Sequence, residues 1–290
     1  MWPVMRCGDR CAEREDLQFS AIGKVDCHEG RGDTHLLNKD DSGQVSGRTD
    51  SEDDDLKRLR ELLLSGGALD QPTWNYQLLS YLRRQTLAKV LWWDHIYRQI
   101  VDVPGCILEF GVHFGTSMST LMSLRGLLEP YNYQRDIVGF DTFEGFASVA
   151  DVDQSANLRW KAGDYATPAG FAAHLSEVLE IQERMSPLAH IRKHELVVGD
   201  ASVTFPQWLS DHPEQLVALI ILDMDVYEAT ANVLGAVQKR LTKGSIVVLD
   251  ELASKAFPGE TQAFMEVVGA RSVRLRRFSL QPMAAYYVVD

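Results

Sequence analysis

At 290 residues, with 45% apolar and 24% charged side chains, the chain has the material for one large globular α/β domain and an extension. A formal net charge of −12 argues against a nucleic-acid backbone as main partner. No apolar run approaches the roughly 20 residues that cross a bilayer, so no membrane association is expected. The N-terminus lacks the apolar core of a secretory signal, and four irregularly spaced cysteines make no disulfide framework. The expectation is a reducing, cytoplasmic location.

Residues 1–55 lack sustained periodicity, are rich in Gly, Asp, Ser and Arg, and end in Asp50-Ser51-Glu52-Asp53-Asp54-Asp55. They read as a disordered or loosely ordered acidic leader, whose last acids favour the start of the next helix. Cys7, Cys11, Cys27 and His28 have ligand chemistry for zinc but match no familiar zinc spacing, and are read as part of that leader. Helical periodicity then marks residues 56–104 as N-terminal helices: Leu56 to Leu64, and Trp74 to Val101, where Leu78, Leu79, Leu82, Leu87, Val90, Leu91, Ile96, Ile100 and Val101 recur. These helices are expected beside the sheet and over the cofactor pocket. Trp92, Trp93 and Tyr97 read as core or subunit-interface residues, and apolar faces that need covering make a homo-oligomer the expectation.

From Gly105 to Asp290 strands and helices alternate. Strands are expected at Cys106–Phe110, Asp136–Phe140, Glu195–Val198, Ala218–Leu222 and Ile246–Leu249, and helices at Ser117–Leu128, Phe171–Glu183 and Thr230–Leu241. Two last strands, Val273–Ser279 and Ala284–Val289, are joined by a turn at Gln281-Pro282. This pattern gives a doubly wound, mostly parallel, seven-stranded Rossmann-like sheet ending in an antiparallel hairpin, the arrangement of class I methyltransferases.

The stretch from Cys106 to Ser117 reads as a strand, a tight turn and a helix start. An apolar run ends in Glu109, Gly111 and Gly115 follow, and Thr116 and Ser117 open the helix. Such turns let backbone approach a ligand and aim free N–H groups at an anion. The pattern Glu-x-Gly-x-x-x-Gly lacks the middle glycine of a dinucleotide site. It suits S-adenosylmethionine (SAM), with Glu109 for the amino group and Thr116, Ser117 and Ser119 near the carboxylate or as simple caps.

In an open parallel sheet, ligands sit beyond the C-terminal strand ends. The second strand ends in Asp141-Thr142-Phe143, where Asp141 is placed to grip ribose hydroxyls; Phe143 and Phe146 either flank the adenine or pack. The third runs into Asp200-Ala201, with Asp200 at the adenine amino group or as a helix cap. The fourth ends in Asp223-Met224-Asp225 and the fifth in Asp250-Glu251. Four carboxylates at neighbouring strand ends repel one another unless a cation or protons intervene. Oxygen ligands select a hard ion such as Mg²⁺.

Together these segments, with Pro258-Gly259-Glu260 and Ala263-Phe264 downstream, resemble the macrocin O-methyltransferase family, metal- and SAM-dependent enzymes that methylate sugar hydroxyls in antibiotic pathways. The likeness runs from about Leu87 to Asp290. It implies Asp223, Asp250 and Glu251 as metal ligands, with Asp223 also at the cofactor, Asp225 as general base and Asp141 at the ribose. Three departures stand out: Glu251 replaces a second aspartate, His113-Phe114 replaces an aromatic-basic pair inside the glycine turn, and the acidic leader has no counterpart. The expected acceptor is a deoxysugar, either nucleotide-linked or already on a natural product. A methyltransferase of catechols or other phenolic diols, and a non-catalytic SAM-binding protein, are the alternatives.

Overall fold

The computed structural model describes Asn38, Lys39, Val45, Ser46 and residues 48–290. The cysteine and histidine cluster considered for zinc lies outside the described residues. A short antiparallel ribbon of β1 (Asn38–Lys39) and β2 (Val45–Ser46) precedes helices α1 (Asp50–Ser65), α2 (Trp74–Gln77) and α3 (Arg84–Arg98). Helix α1 begins inside the segment expected as leader. Thr49 and Glu52 form a reciprocal capping box there, and Asp50, Glu52 and Asp53 put negative charge on its first turn. The single helix expected from Trp74 to Val101 is broken: α2 runs on into a 3-10 turn, and the backbone is extended at Leu82 and Arg83.

The remaining elements are β3 (Cys106–Phe110), α4 (Thr116–Leu128), β4 (Ile137–Asp141), α5 (Phe171–Arg184), β5 (His194–Val198), α6 (Ala201–Asp211), β6 (Val217–Leu222), α7 (Tyr227–Val237), β7 (Leu241–Leu249), α8 (Pro258–Val267), β8 (Arg276–Phe278) and β9 (Gln281–Val288). They build a seven-stranded sheet in the order β5-β4-β3-β6-β7-β9-β8, the first five parallel and the last two antiparallel. The doubly wound sheet is therefore as expected. The closing hairpin differs in detail: its turn lies at Ser279-Leu280, and Pro282 sits within β9 beside a break in register, where a missing N–H costs no ladder bond. Helices α6 and α8 were not among the expected elements.

The strands alternate their side chains between two cores. Ile107, Ile137, Leu219, Ile221 and Val248 face α3, α4 and α5. Leu108, Phe110, Phe140, Ile220 and Val247 face α6, α7 and α8, where Phe205, Trp208, Leu234 and Phe264 are buried. Helix α3 docks through Trp92, Trp93, Ile96 and Tyr97, all buried. Each such large side chain stabilises the fold by roughly 1.5–3 kcal/mol through burial. The winding order β3, β4, β5 and then back to β6 beside β3 places the topological switch between β3 and β6, the position at which such sheets leave a crevice.

Candidate active site

The ladder of backbone hydrogen bonds continues one step past the strand ends. Gly111 N–H donates to Phe140 C=O (3.0 Å), Gly199 N–H to Asp141 C=O (2.9 Å), Asp223 N–H to Phe110 C=O (2.9 Å) and Asp250 N–H to Leu222 C=O (3.1 Å). These bonds fix the register of the residues that follow. They bring Gly111, Asp141, Thr142, Asp200, Ala201, Asp223, Asp225, Asp250 and Glu251 to the walls of one cavity of about 300 Å³. Five further expected site residues, Glu109, Gly115, Thr116, Ser117 and Phe143, do not line it.

On the first wall, Asp141 Oδ2 accepts from His113 N–H (2.7 Å) and Oδ1 from Phe143 N–H (2.6 Å), so one carboxylate ties the glycine turn to the loop after β4. Gly111 has φ +90°, and a Cβ there would overlap the Asp223 carbonyl. The glycine is thus required by the approach of the neighbouring strand end as much as by any ligand. Gly115 is the left-handed N-cap of α4, packed against Leu175, so neither Thr116 nor Ser117 caps that helix. Phe143 is buried in the core and contributes its N–H rather than its ring; of these two phenylalanines, Phe146 lines the cavity. The Thr142 hydroxyl is used inside its own turn, donating to Gly145 C=O (2.6 Å). Asp200 caps α6 through Ser202 N–H (2.8 Å) while lining the cavity, so both roles weighed for it coexist in position.

The four carboxylates stand elsewhere on the same lining. Burial, and then the neighbouring charge of Asp250, push Asp223 well above the usual carboxylate range. Burial, followed by Asp223, Glu251 and Asp250, does the same to Asp225. Burial raises Asp250 as well, and burial with Asp250 pushes Glu251 to about 7. Asp225 sits at the apex of a three-residue turn closed by Val226 N–H on Met224 C=O (2.7 Å), with φ +63°. Its Oδ1 is buried without a partner. Asp223, Asp250 and Glu251 have the oxygen donors a hard cation takes. In the present arrangement, however, no group of three or more His, Cys, Asp or Glu among the described residues stands together as a metal site.

Further residues stand at or beside the site. Lys89 reaches the cavity from α3. Its position continues the stripe of Trp93, Ile96 and Ile100, and a lysine on an otherwise buried stripe is the signal that could have found it. Glu260, fully buried on α8, accepts from Glu251 N–H (3.1 Å) and so buttresses the loop after β7. Tyr165 and Phe257 line the cavity with Phe146, and Trp160 stacks on Phe257 (4.6 Å) behind them, donating from its indole N–H to Ala256 C=O (2.8 Å). His113, Tyr165 and Asp225, all at the cavity, are non-glycine residues with positive φ. Backbone strain of this kind gathers at functional sites.

Residues 108–252 match the model of a methyltransferase domain. Among characterised proteins, the chain is 28% identical over 155 residues to mycinamicin III 3''-O-methyltransferase of Micromonospora griseorubida, covering 51% of this chain and 56% of that protein. It is 32% identical over 164 residues to 8-demethyl-8-(2,3-dimethoxy-alpha-L-rhamnosyl)-tetracenomycin-C 4'-O-methyltransferase of Streptomyces olivaceus, covering 53% and 55%. The chain thus spans about half the length of the curated relatives it matches. Among solved structures, calicheamicin methyltransferase CalS11 superposes with a TM-score of 0.78 at 40% identity, over 83% of this chain and 93% of that one. A second structure of CalS11, described as a TDP-rhamnose 3'-O-methyltransferase, gives 0.71 at 36% identity, over 83% and 95%. The likeness to CalS11 over nearly its whole length and the match to the domain model across residues 108–252 agree, and the chain belongs to the methyltransferase family, as its resemblance to the macrocin O-methyltransferases implied.

Proposed function

We propose that this protein is a Mg²⁺-dependent O-methyltransferase that moves a methyl group from SAM to a hydroxyl of a deoxysugar in secondary metabolism. The sugar would be nucleotide-linked, such as a TDP-deoxyhexose, or part of a glycosylated natural product. The observation that carries the reading is that Asp223, Asp225, Asp250 and Glu251 line one cavity together with Asp141. The names of the relatives support the acceptor class: CalS11 is described as acting on TDP-rhamnose.

In this reading Asp141 holds the ribose hydroxyls, since its oxygens keep lone pairs beyond the two backbone N–H groups they accept. Asp223, Asp250 and Glu251 would hold the ion through their carboxylate oxygens. A divalent ion there supplies Lewis acidity, lowering the pKa of a hydroxyl that is otherwise far too basic to ionise near neutrality. Asp225 takes the hydroxyl proton: it lines the cavity beside these carboxylates and its buried Oδ1 has no partner, as suits a general base. The hydroxyl oxygen attacks the sulfonium methyl carbon; the new C–O bond forms as the C–S bond breaks, leaving the thioether. Phe146, Tyr165 and Phe257 offer an apolar wall for the hydrogen-bearing face of a deoxysugar and exclude water.

The test is a product assay by mass spectrometry with SAM, with Mg²⁺ or EDTA, across nucleotide-linked deoxysugars, glycosides and catechols. The expected result is methylation of a sugar, lost in EDTA. Turnover of catechols alone would move the reading to phenolic diols, and SAM binding with no acceptor turned over would leave a non-catalytic binder.

A further inference from the structure

SAM ends in an α-amino acid, an ammonium beside a carboxylate, and a site that holds it needs an acid and a base. One buried acid stands beside the glycine turn. Glu109, two residues before Gly111, is 1% exposed, and its Oε2 has no hydrogen-bond partner. The base is missing from the glycine turn: residues 111–117 contain neither Lys nor Arg, and burial pushes His113 below its ordinary range, leaving it neutral near pH 7.

Among the described residues that line the cavity, Lys89 is the one Lys or Arg. Its ammonium feels the fields of Asp250, Asp223, Glu109 and Glu251, yet it forms no ion pair or hydrogen bond with any described residue. A cation held by the docked helix α3 among carboxylates it does not touch faces them across a gap. Burial of Trp92, Trp93 and Ile96 on the same helix fixes the stem from which it projects. We propose that Lys89 binds the methionyl carboxylate of SAM, so that α3, outside the sheet, completes the cofactor site. This rests on SAM being the methyl donor.

The alternative role for Lys89 is a plain counter-ion to the acidic wall, with no contact to the cofactor. Two ligands separate the roles. S-adenosylhomocysteine carries the amino acid; 5'-methylthioadenosine has the same adenosine and thioether without it. Both are titrated calorimetrically into the wild type, Lys89→Met and Lys89→Arg. The expected result is that Lys89→Met weakens S-adenosylhomocysteine on the order of 10- to 100-fold, the worth of one charge-assisted hydrogen bond. Methylthioadenosine then stays within about threefold, and Lys89→Arg recovers part of the loss. Unchanged S-adenosylhomocysteine affinity in Lys89→Met, or an equal loss for both ligands, overturns the assignment; if Lys89→Met does not fold, Lys89→Gln is read by the same ratio. A wild type that binds neither ligand rejects the SAM reading itself, a result distinct from either.

Discussion

Asp141→Asn is the most informative single change on the cofactor side. The aspartate accepts two short hydrogen bonds from backbone N–H groups, His113 at 2.7 Å and Phe143 at 2.6 Å. An asparagine keeps the shape but offers one acceptor oxygen, so its amide NH₂ must face the second N–H, donor against donor. Hydrogen bonds to a charged group contribute about 1.5–3 kcal/mol each, and an unsatisfied partner adds to the loss. The two N–H groups belong to the two turns that would close on the ribose, so part of this cost falls on binding. The expected loss in SAM affinity is about 2–3 kcal/mol, or roughly 30- to 150-fold, read by calorimetric titration beside a thermal melt. An Asn variant that binds SAM within about threefold of the wild type, with an unchanged melt, would refute this reasoning.

Asp225→Asn is expected to lower turnover by at least about 100-fold while keeping SAM affinity, the signature of a lost general base. Asp250→Ala is expected to lose Mn²⁺ or Mg²⁺ binding in a direct titration; full activity of both variants would remove the roles given to these residues. Away from the site, Glu183 is buried among Arg125 (2.7 Å), Lys193 (2.6 Å) and His194 (3.1 Å). Burial alone would raise its pKa, but His194, Lys193 and Arg125 outweigh it and hold the carboxyl at about 2, below its ordinary 4.5. Because the folded value is the lower one, this stabilisation is complete above pH 4.5 and is lost as pH falls toward 2. It amounts to about 3 kcal/mol. Glu183→Gln should therefore be less stable by about that much at neutral pH in urea unfolding, and should lack this part of the wild type's acid sensitivity; matching pH profiles would contradict the assignment.

The sheet was legible in the sequence because a strand buried on both faces leaves a short continuous apolar run bounded by polar residues, as Val217-Ala218-Leu219-Ile220-Ile221-Leu222 does. The carboxylates were legible for the same reason, since the strand ends that carry them are sharp. What escaped was set by tertiary contact. Helix α8 opens on Pro258 and Gly259, poor helix formers in general; they are accommodated because proline suits a first helical turn and Gly259 lies where a side chain would strike Asp153. Lys89 lines the cavity from α3, well before the strand ends in sequence, and its place on a buried stripe is the one local trace of that. The glycine turn was read for a ligand, whereas Gly111 and Gly115 first serve Asp223 and Leu175. Thr142, expected at the cofactor, lines the cavity while its hydroxyl donates within its own turn.

The proposed reaction is methyl transfer from SAM to a sugar hydroxyl in this cavity. It is tested most directly by incubating the purified chain with SAM, Mg²⁺ and a TDP-linked deoxyhexose and following the sugar nucleotide by mass spectrometry. The sugar is expected to gain one methyl group while S-adenosylhomocysteine accumulates in equal amount, with both lost in Asp225→Asn. No methylated sugar, nucleotide-linked or glycosidic, from a protein that binds SAM would contradict it.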